Sequence, residues 1–169
     1  LIIGLLGLTA IMMQGLTYTM VKTEGEINRT AVNLSQKIYN SYAAMFMLAV
    51  IFSFVFMPER MGNIAAWIMT GVYIASMIML KVYLESGNEM KAFISSSLSF
   101  IALWGITGAV QFPLLVRSIP GCGPDITIFN ASSSKLTLSV MLVIAVIGMP
   151  LVIAYTVYVY RIFRGKIKL

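Results

Sequence analysis

The chain has 169 residues, 59% of them apolar and only 11% charged, with a mean hydropathy of +0.91. A soluble domain carries roughly 25% charged residues, and none of this size has an interior able to hide so much apolar surface, so the composition requires a lipid bilayer as solvent. Twelve Lys and Arg against six Asp and Glu leave a net charge of +6, but these cations are not gathered on a soluble face, which excludes a nucleic-acid partner and fits the bias that orients membrane proteins.

The first apolar run covers residues 1–21, enough to cross a bilayer, which takes about 20 residues at 1.5 Å each. It opens at Leu1 without a basic leader or a small-residue cleavage site, as expected of a sequence that starts partway into a longer protein. The second run, 42–57, is too short by itself. Upstream of it, "TEGE" at Thr23–Glu26 reads as a capping box. Beyond the box, Ile27, Ala31, Leu34, Ile38, Tyr42 and Met45 recur at spacings of three and four, the stripe of an amphipathic helix. One long helix is therefore predicted over 27–57, its first turns in water or headgroups and its last turns in the membrane. Pro58 and Gly62 mark the turn that follows.

The third and fourth runs cover 64–84 and 92–116. A polar island then intervenes, "IPGCGPDITIFNASSSKLTL" from Ile119 to Leu138. Its Pro and Gly residues predict turns, and Ser132–Ser134 predict a cap for the next helix. That helix, 136–163, contains Pro150, which predicts a kink, and places Tyr155, Tyr158 and Tyr160 at an interface belt.

These readings give an all-α polytopic integral membrane protein: a single helical bundle over 1–169 with five transmembrane helices. Alternate loops fall on opposite sides. One side receives Arg60, Arg117 and Lys135, and the other receives the remaining nine Lys and Arg. By the positive-inside rule the N-terminus is outside and the C-terminus cytoplasmic. No charge lies at mid-span; Lys81 is the deepest and can snorkel. The milder polar groups within spans are Gln14, Gln111, Ser53, Ser76, Thr107 and Ser95, Ser96, Ser97 and Ser99. They read as helix-bridging or backbone-bonded groups rather than a substrate site.

The chain has no His and one Cys, Cys122, which removes the commonest haem and zinc ligand and any internal disulfide. The 13 Met residues read as fillers of apolar gaps. With no metal spacing, nucleophile–base pair or phosphate loop, no catalytic, cofactor-binding or metal-ligating residue is nominated, and an autonomous enzyme is not expected.

Four stretches then resemble one known family: "MQGLTYTMVKTEGEINRTA" (Met13–Ala31), "FPLLVRS" (Phe112–Ser118), "TIFNASSSKLTLSVM" (Thr127–Met141) and "PLVIAYTVYVYRIFRGK" (Pro150–Lys166). They resemble, in order, the C-terminal half of subunit II of cytochrome bd-type quinol oxidases. The resemblance implies a multi-pass subunit of the prokaryotic plasma membrane, in a terminal oxidase of the respiratory chain that oxidises quinol and reduces dioxygen to water. It implies that this chain binds no cofactor, that b-type and d-type haems sit in subunit I, and that subunit I is the partner, with membrane lipids around both and room for a small single-span subunit. Family acidic residues proposed for proton delivery fall in the N-terminal half and have no counterpart here. The competing expectation is a small secondary transporter or half-transporter, which would need broken helices and charge at mid-bilayer; only Pro150 suits it.

Overall fold

The computed structural model describes residues 1–56, 62–116, 118 and 123–162. The expected turn at Pro58, the cations Arg60 and Arg117, the turn residues Pro120 and Gly121, Cys122 and the basic tail with Arg164, Lys166 and Lys168 lie outside the described residues.

Among the described residues five helices carry the fold: α1 (Ile2–Lys22), α2 (Glu26–Phe56), α3 (Ile64–Glu85), α4 (Glu89–Gln111) and α5 (Lys135–Ile162). All five are long and apolar enough to cross a membrane. The long second helix is present as expected, 31 residues in one piece. Two short strands, β1 (Leu114–Val116) and β2 (Ile126–Thr127), lie between α4 and α5. The chain divides into two compact units, Leu1–Val110 and Gln111–Gly165.

In the first unit α1 and α2 pack most extensively on each other. Three residues join them. Gly25 adopts φ 77°, a left-handed conformation open to glycine without a Cβ penalty, and it reverses the chain. The reversal displaces the predicted capping box. Thr23 stays with α1 as its C-cap, and its hydroxyl donates to the Thr19 carbonyl at 2.8 Å. The Gly25 carbonyl takes the Arg29 amide at 3.2 Å. Asn28, in the first turn of α2, has its Nδ2 within reach of three acceptors, the Met20 and Thr23 carbonyls at 2.9 and 3.2 Å and Glu89 Oε1 at 2.6 Å, which share its two N–H groups. It thus satisfies the open carbonyls at the end of α1 and ties that end to the start of α4.

At the opposite end of α3, Asn63 is the N-cap. Its Oδ1 accepts from the Ala65 amide at 3.0 Å, and its Nδ2 donates to the Ala109 carbonyl of α4 at 2.7 Å. Small residues Ala10, Ala31, Ala66, Ala92 and Ala102 are buried with Met13, Met20, Met77 and Leu80, letting backbones approach where the bilayer gives no hydrophobic drive between helices. Of the glycines, Gly105 marks a close approach: a Cβ there would stand 2.8 Å from Met69 Sδ.

In the second unit the apolar run 92–116 does not continue as helix to its end. The helix stops at Gln111, and Pro113, which has no amide proton to extend it, follows. The chain enters an antiparallel pair with Leu114 opposite Thr127 and Val116 opposite Ile126. Asn130 Oδ1 accepts from the Thr127 amide at 2.7 Å and its Nδ2 donates to the Asp125 carbonyl at 2.8 Å, closing the turn after β2. Helix α5 begins as expected after the serines. The Ser134 carbonyl takes the Leu138 amide at 3.0 Å, and Ser134 Oγ takes the Thr137 amide at 3.3 Å. No residue of α5 is buried.

Candidate functional site

Within the first unit the polar groups gather into one seam at mid-span. Gln14 stands near the middle of α1 and Ser96, Ser97 and Ser99 near the middle of α4. Gln14 Nε2 donates to Ser97 Oγ at 2.7 Å, and Ser96 Oγ donates to Gln14 Oε1 at 2.7 Å. Both ends of one carboxamide are thereby used across a helix pair. A carboxamide has two donors and one acceptor oxygen to satisfy, and in hydrocarbon there is no water to do it. The serines at i and i+1 fit this task because adjacent hydroxyls can reach the two ends of the same amide.

The seam continues toward α2 and α3. Ser99 Oγ donates to the Ser96 carbonyl at 2.8 Å and stands 3.4 Å from the Tyr42 hydroxyl. Tyr42 meets Tyr73 of α3 edge-on, ring centroids 5.7 Å apart, and Phe46 stacks on Tyr73 at 3.9 Å. Tyr42 and Tyr73 are 1% and 2% exposed. The Tyr42 hydroxyl has Ser99, but the Tyr73 hydroxyl is buried and makes no hydrogen bond of ordinary geometry among the described residues.

The remaining polar span residues satisfy themselves locally. Ser76, Ser53 and Thr107 donate to the carbonyls of Tyr73, Ala49 and Leu103, three or four residues back, as hydroxyls on membrane helices do. Gln111 Nε2 donates to the Leu115 carbonyl at 3.2 Å, at the start of the second unit. Sequence reasoning named Gln14 and the serines but treated Tyr42 only as a stripe residue and did not name Tyr73, Asn28 or Asn63. A tyrosine inside an uninterrupted apolar run is a usable signal, because its hydroxyl must be bonded when buried. Pairing it with a serine on another helix needs the packing.

A second feature is an open groove of about 370 Å³ between α1 and α2, lined by Leu16, Thr19, Glu26, Ile27, Thr30, Ala31 and Leu34. Its walls are mostly apolar, with Glu26 at the start of α2.

Chemically the seam offers hydroxyls and one carboxamide. It contains no carboxylate, amine or imidazole, so it has no group suited to general acid–base work near neutral pH. Among the described residues no three His, Cys, Asp or Glu side chains come together as a metal site. The arrangement links α1 to α4 and α4 to α2 by hydrogen bonds, and α2 to α3 by the contact of the two tyrosine rings.

The family model described as cytochrome bd terminal oxidase subunit II matches residues 1–163. The chain is also similar to cytochrome bd-I ubiquinol oxidase subunit 2 of Escherichia coli strain K12, with 34% identity over 76 residues, 45% of this chain. The proteins of that name from Escherichia coli O6:H1 strain CFT073 and from Escherichia coli O157:H7 give the same identity over the same length. The matched stretch spans 20% of the length of these relatives.

Proposed function

The chain belongs to the cytochrome bd terminal oxidase subunit II family, and from that membership we propose that it serves as the haem-free membrane subunit of a quinol:dioxygen oxidoreductase. It is a multi-pass plasma-membrane protein built on helices that can span the bilayer. Its task in this reading is to pack against subunit I, which holds the b-type and d-type haems, and to keep that bundle sealed and correctly shaped. Electrons pass from quinol to dioxygen on the partner, and this chain supplies no catalytic residue.

The family match over 1–163 carries the proposal. Two features support the haem-free part. The sequence contains no His, and haem iron in proteins is most often held by an axial His, alone or with Met. The polar groups at mid-span are hydroxyls and a carboxamide bonded mainly to one another, the pattern of a scaffold.

We further place the N-terminus outside and the C-terminus in the cytoplasm, on the nine-to-three split of Lys and Arg between alternate loops. In this reading the chain corresponds to the C-terminal half of a longer subunit, with lipids around it and a small single-span subunit as an optional companion.

Purification by a tag on this chain tests the reading. The expected result is fixed stoichiometry with a haem-bearing partner and quinol-dependent dioxygen consumption. Deleting the chain should lower the haem content of the partner. A fully haem-loaded, fully active subunit I in its absence would overturn the proposal. Solute flux through liposomes holding this chain alone would instead favour the transporter reading, for which Pro150 within α5 is the supporting feature.

A further inference from the structure

We propose that a single internal water molecule is held at mid-span between α2, α3 and α4, bonded to the Tyr73 hydroxyl and shared with Tyr42 and Ser99. Three observations meet there. The Tyr73 hydroxyl is buried and makes no hydrogen bond of ordinary geometry among the described residues, although the Tyr42 hydroxyl stands near it. The neighbouring approach of Tyr42 to Ser99 is stretched to 3.4 Å, well beyond the 2.7–2.8 Å usual for paired hydroxyls. Tyr42 meets Tyr73 edge-on and the Phe46 ring stacks on it, so of these two aromatic neighbours Tyr42 alone brings a polar atom.

Buried hydroxyls almost always have a partner. A soluble protein can let such a group reach bulk solvent by a small side-chain movement, but Tyr73 stands nine residues into a 22-residue span, where hydrocarbon surrounds the bundle. A buried water needs two to four polar partners in a polar niche. The Tyr73, Tyr42 and Ser99 hydroxyls supply three. The inference concerns this chain's interior and stands independently of the proposed oxidase role.

Tyr73→Phe removes the hydroxyl and keeps the ring, so its stack on Phe46 survives and the fold is retained. The experiment uses the protein purified from its own membrane with whatever chains accompany it. A density map fine enough to show ordered water should place a peak within hydrogen-bond distance of Tyr73 Oη, absent in Tyr73→Phe, and the variant should melt at a lower temperature than the parent. Ser99→Ala should weaken the same peak. A variant that melts at the same or a higher temperature overturns the proposal, since deleting a truly unbonded hydroxyl relieves a penalty. So does a map in which Tyr73 Oη bonds directly to Tyr42 or to a side chain of another subunit.

Discussion

At the scale of single residues the clearest dependence is on Gln14. Its carboxamide is a direct polar link between α1 and α4, with both hydrogen bonds at 2.7 Å. Leucine has nearly its size and no polar atoms. Gln14→Leu should therefore leave the helices packed but strand the Ser96 hydroxyl, while Ser97 keeps its bond to the Phe93 carbonyl. Hydrogen bonds between membrane helices measure about 0.6 kcal/mol on average and reach about 1.7 kcal/mol. Because the leucine can form neither bond, the expected destabilisation is about 1–2 kcal/mol, read from unfolding in mixed detergent. The double variant with Ser96→Ala should cost less than the sum of the two, because the stranded hydroxyl is gone. Gly105 makes a different point. A methyl there meets the flexible tip of Met69, so Gly105→Ala should cost under about 1 kcal/mol, whereas the branched Gly105→Val should reach the roughly 1–3 kcal/mol typical of overpacking. Met69→Ala should recover much of the valine penalty; equal losses in both backgrounds would show that the α3–α4 approach is not what the glycine serves.

At the scale of elements, ends matter more than middles. The three serines before α5 look interchangeable in the sequence. In the structure Ser132 Oγ donates back to the Phe129 carbonyl, and Ser134 Oγ caps the Thr137 amide. Ser134→Ala alone should thus fray the first turn of α5, by the roughly 1 kcal/mol of a lost cap, while Ser132→Ala and Ser133→Ala leave it intact. Amide hydrogen exchange over residues 135–138 checks this. Asn63 has a double task, and two substitutions separate its parts. Asn63→Asp keeps an acceptor for Ala65 but loses the donor to Ala109, so α3 keeps its start and loses its tie to α4; Asn63→Ala loses both and should be the less stable of the two. The helices themselves were legible because apolar length fixes a span, and the stripe from Ile27 to Met45 extended the second helix correctly. The capping box was not. Its letters fit, but Gly25 at positive φ turns the chain inside the motif, and no local pattern states which of two overlapping end signals wins. The hairpin at Leu114 and Ile126 was equally hidden, since a run of apolar letters reads alike as span or strand; only Pro113 and the β-branched Ile126, Thr127 and Ile128 hinted at the change.

At the scale of the whole molecule the same asymmetry recurs. Membership of an oxidase family was legible from long stretches of wording spread over the chain, and the family match over 1–163 agrees with it. The polar seam was half legible: Gln14 and the serines stand out against hydrocarbon, but Tyr42 and Tyr73 become partners only when α2 and α3 pack. Orientation rests on charge alone, and the chain carries its own reporter for it. Cys122 is its single cysteine and lies in sequence between β1 and β2, in the connection from α4 to α5. With the N-terminus outside, four crossings return that connection to the outer face. A membrane-impermeant maleimide should therefore label Cys122 in spheroplasts and fail to do so in inverted vesicles until detergent is added. Two further reporters in a Cys122→Ser background guard against shielding by a partner: Ser133→Cys, exposed just before α5, should behave like Cys122, and Ser86→Cys, exposed between α3 and α4, should show the opposite pattern. The rule behind this assignment counts Lys and Arg in short loops and largely ignores acidic groups, so the three cations assigned to the outer face carry the argument by their scarcity. Ser133→Cys labelled only in inverted vesicles, with Ser86→Cys labelled only in spheroplasts, would reverse every helix at once and remove the charge bias as its cause.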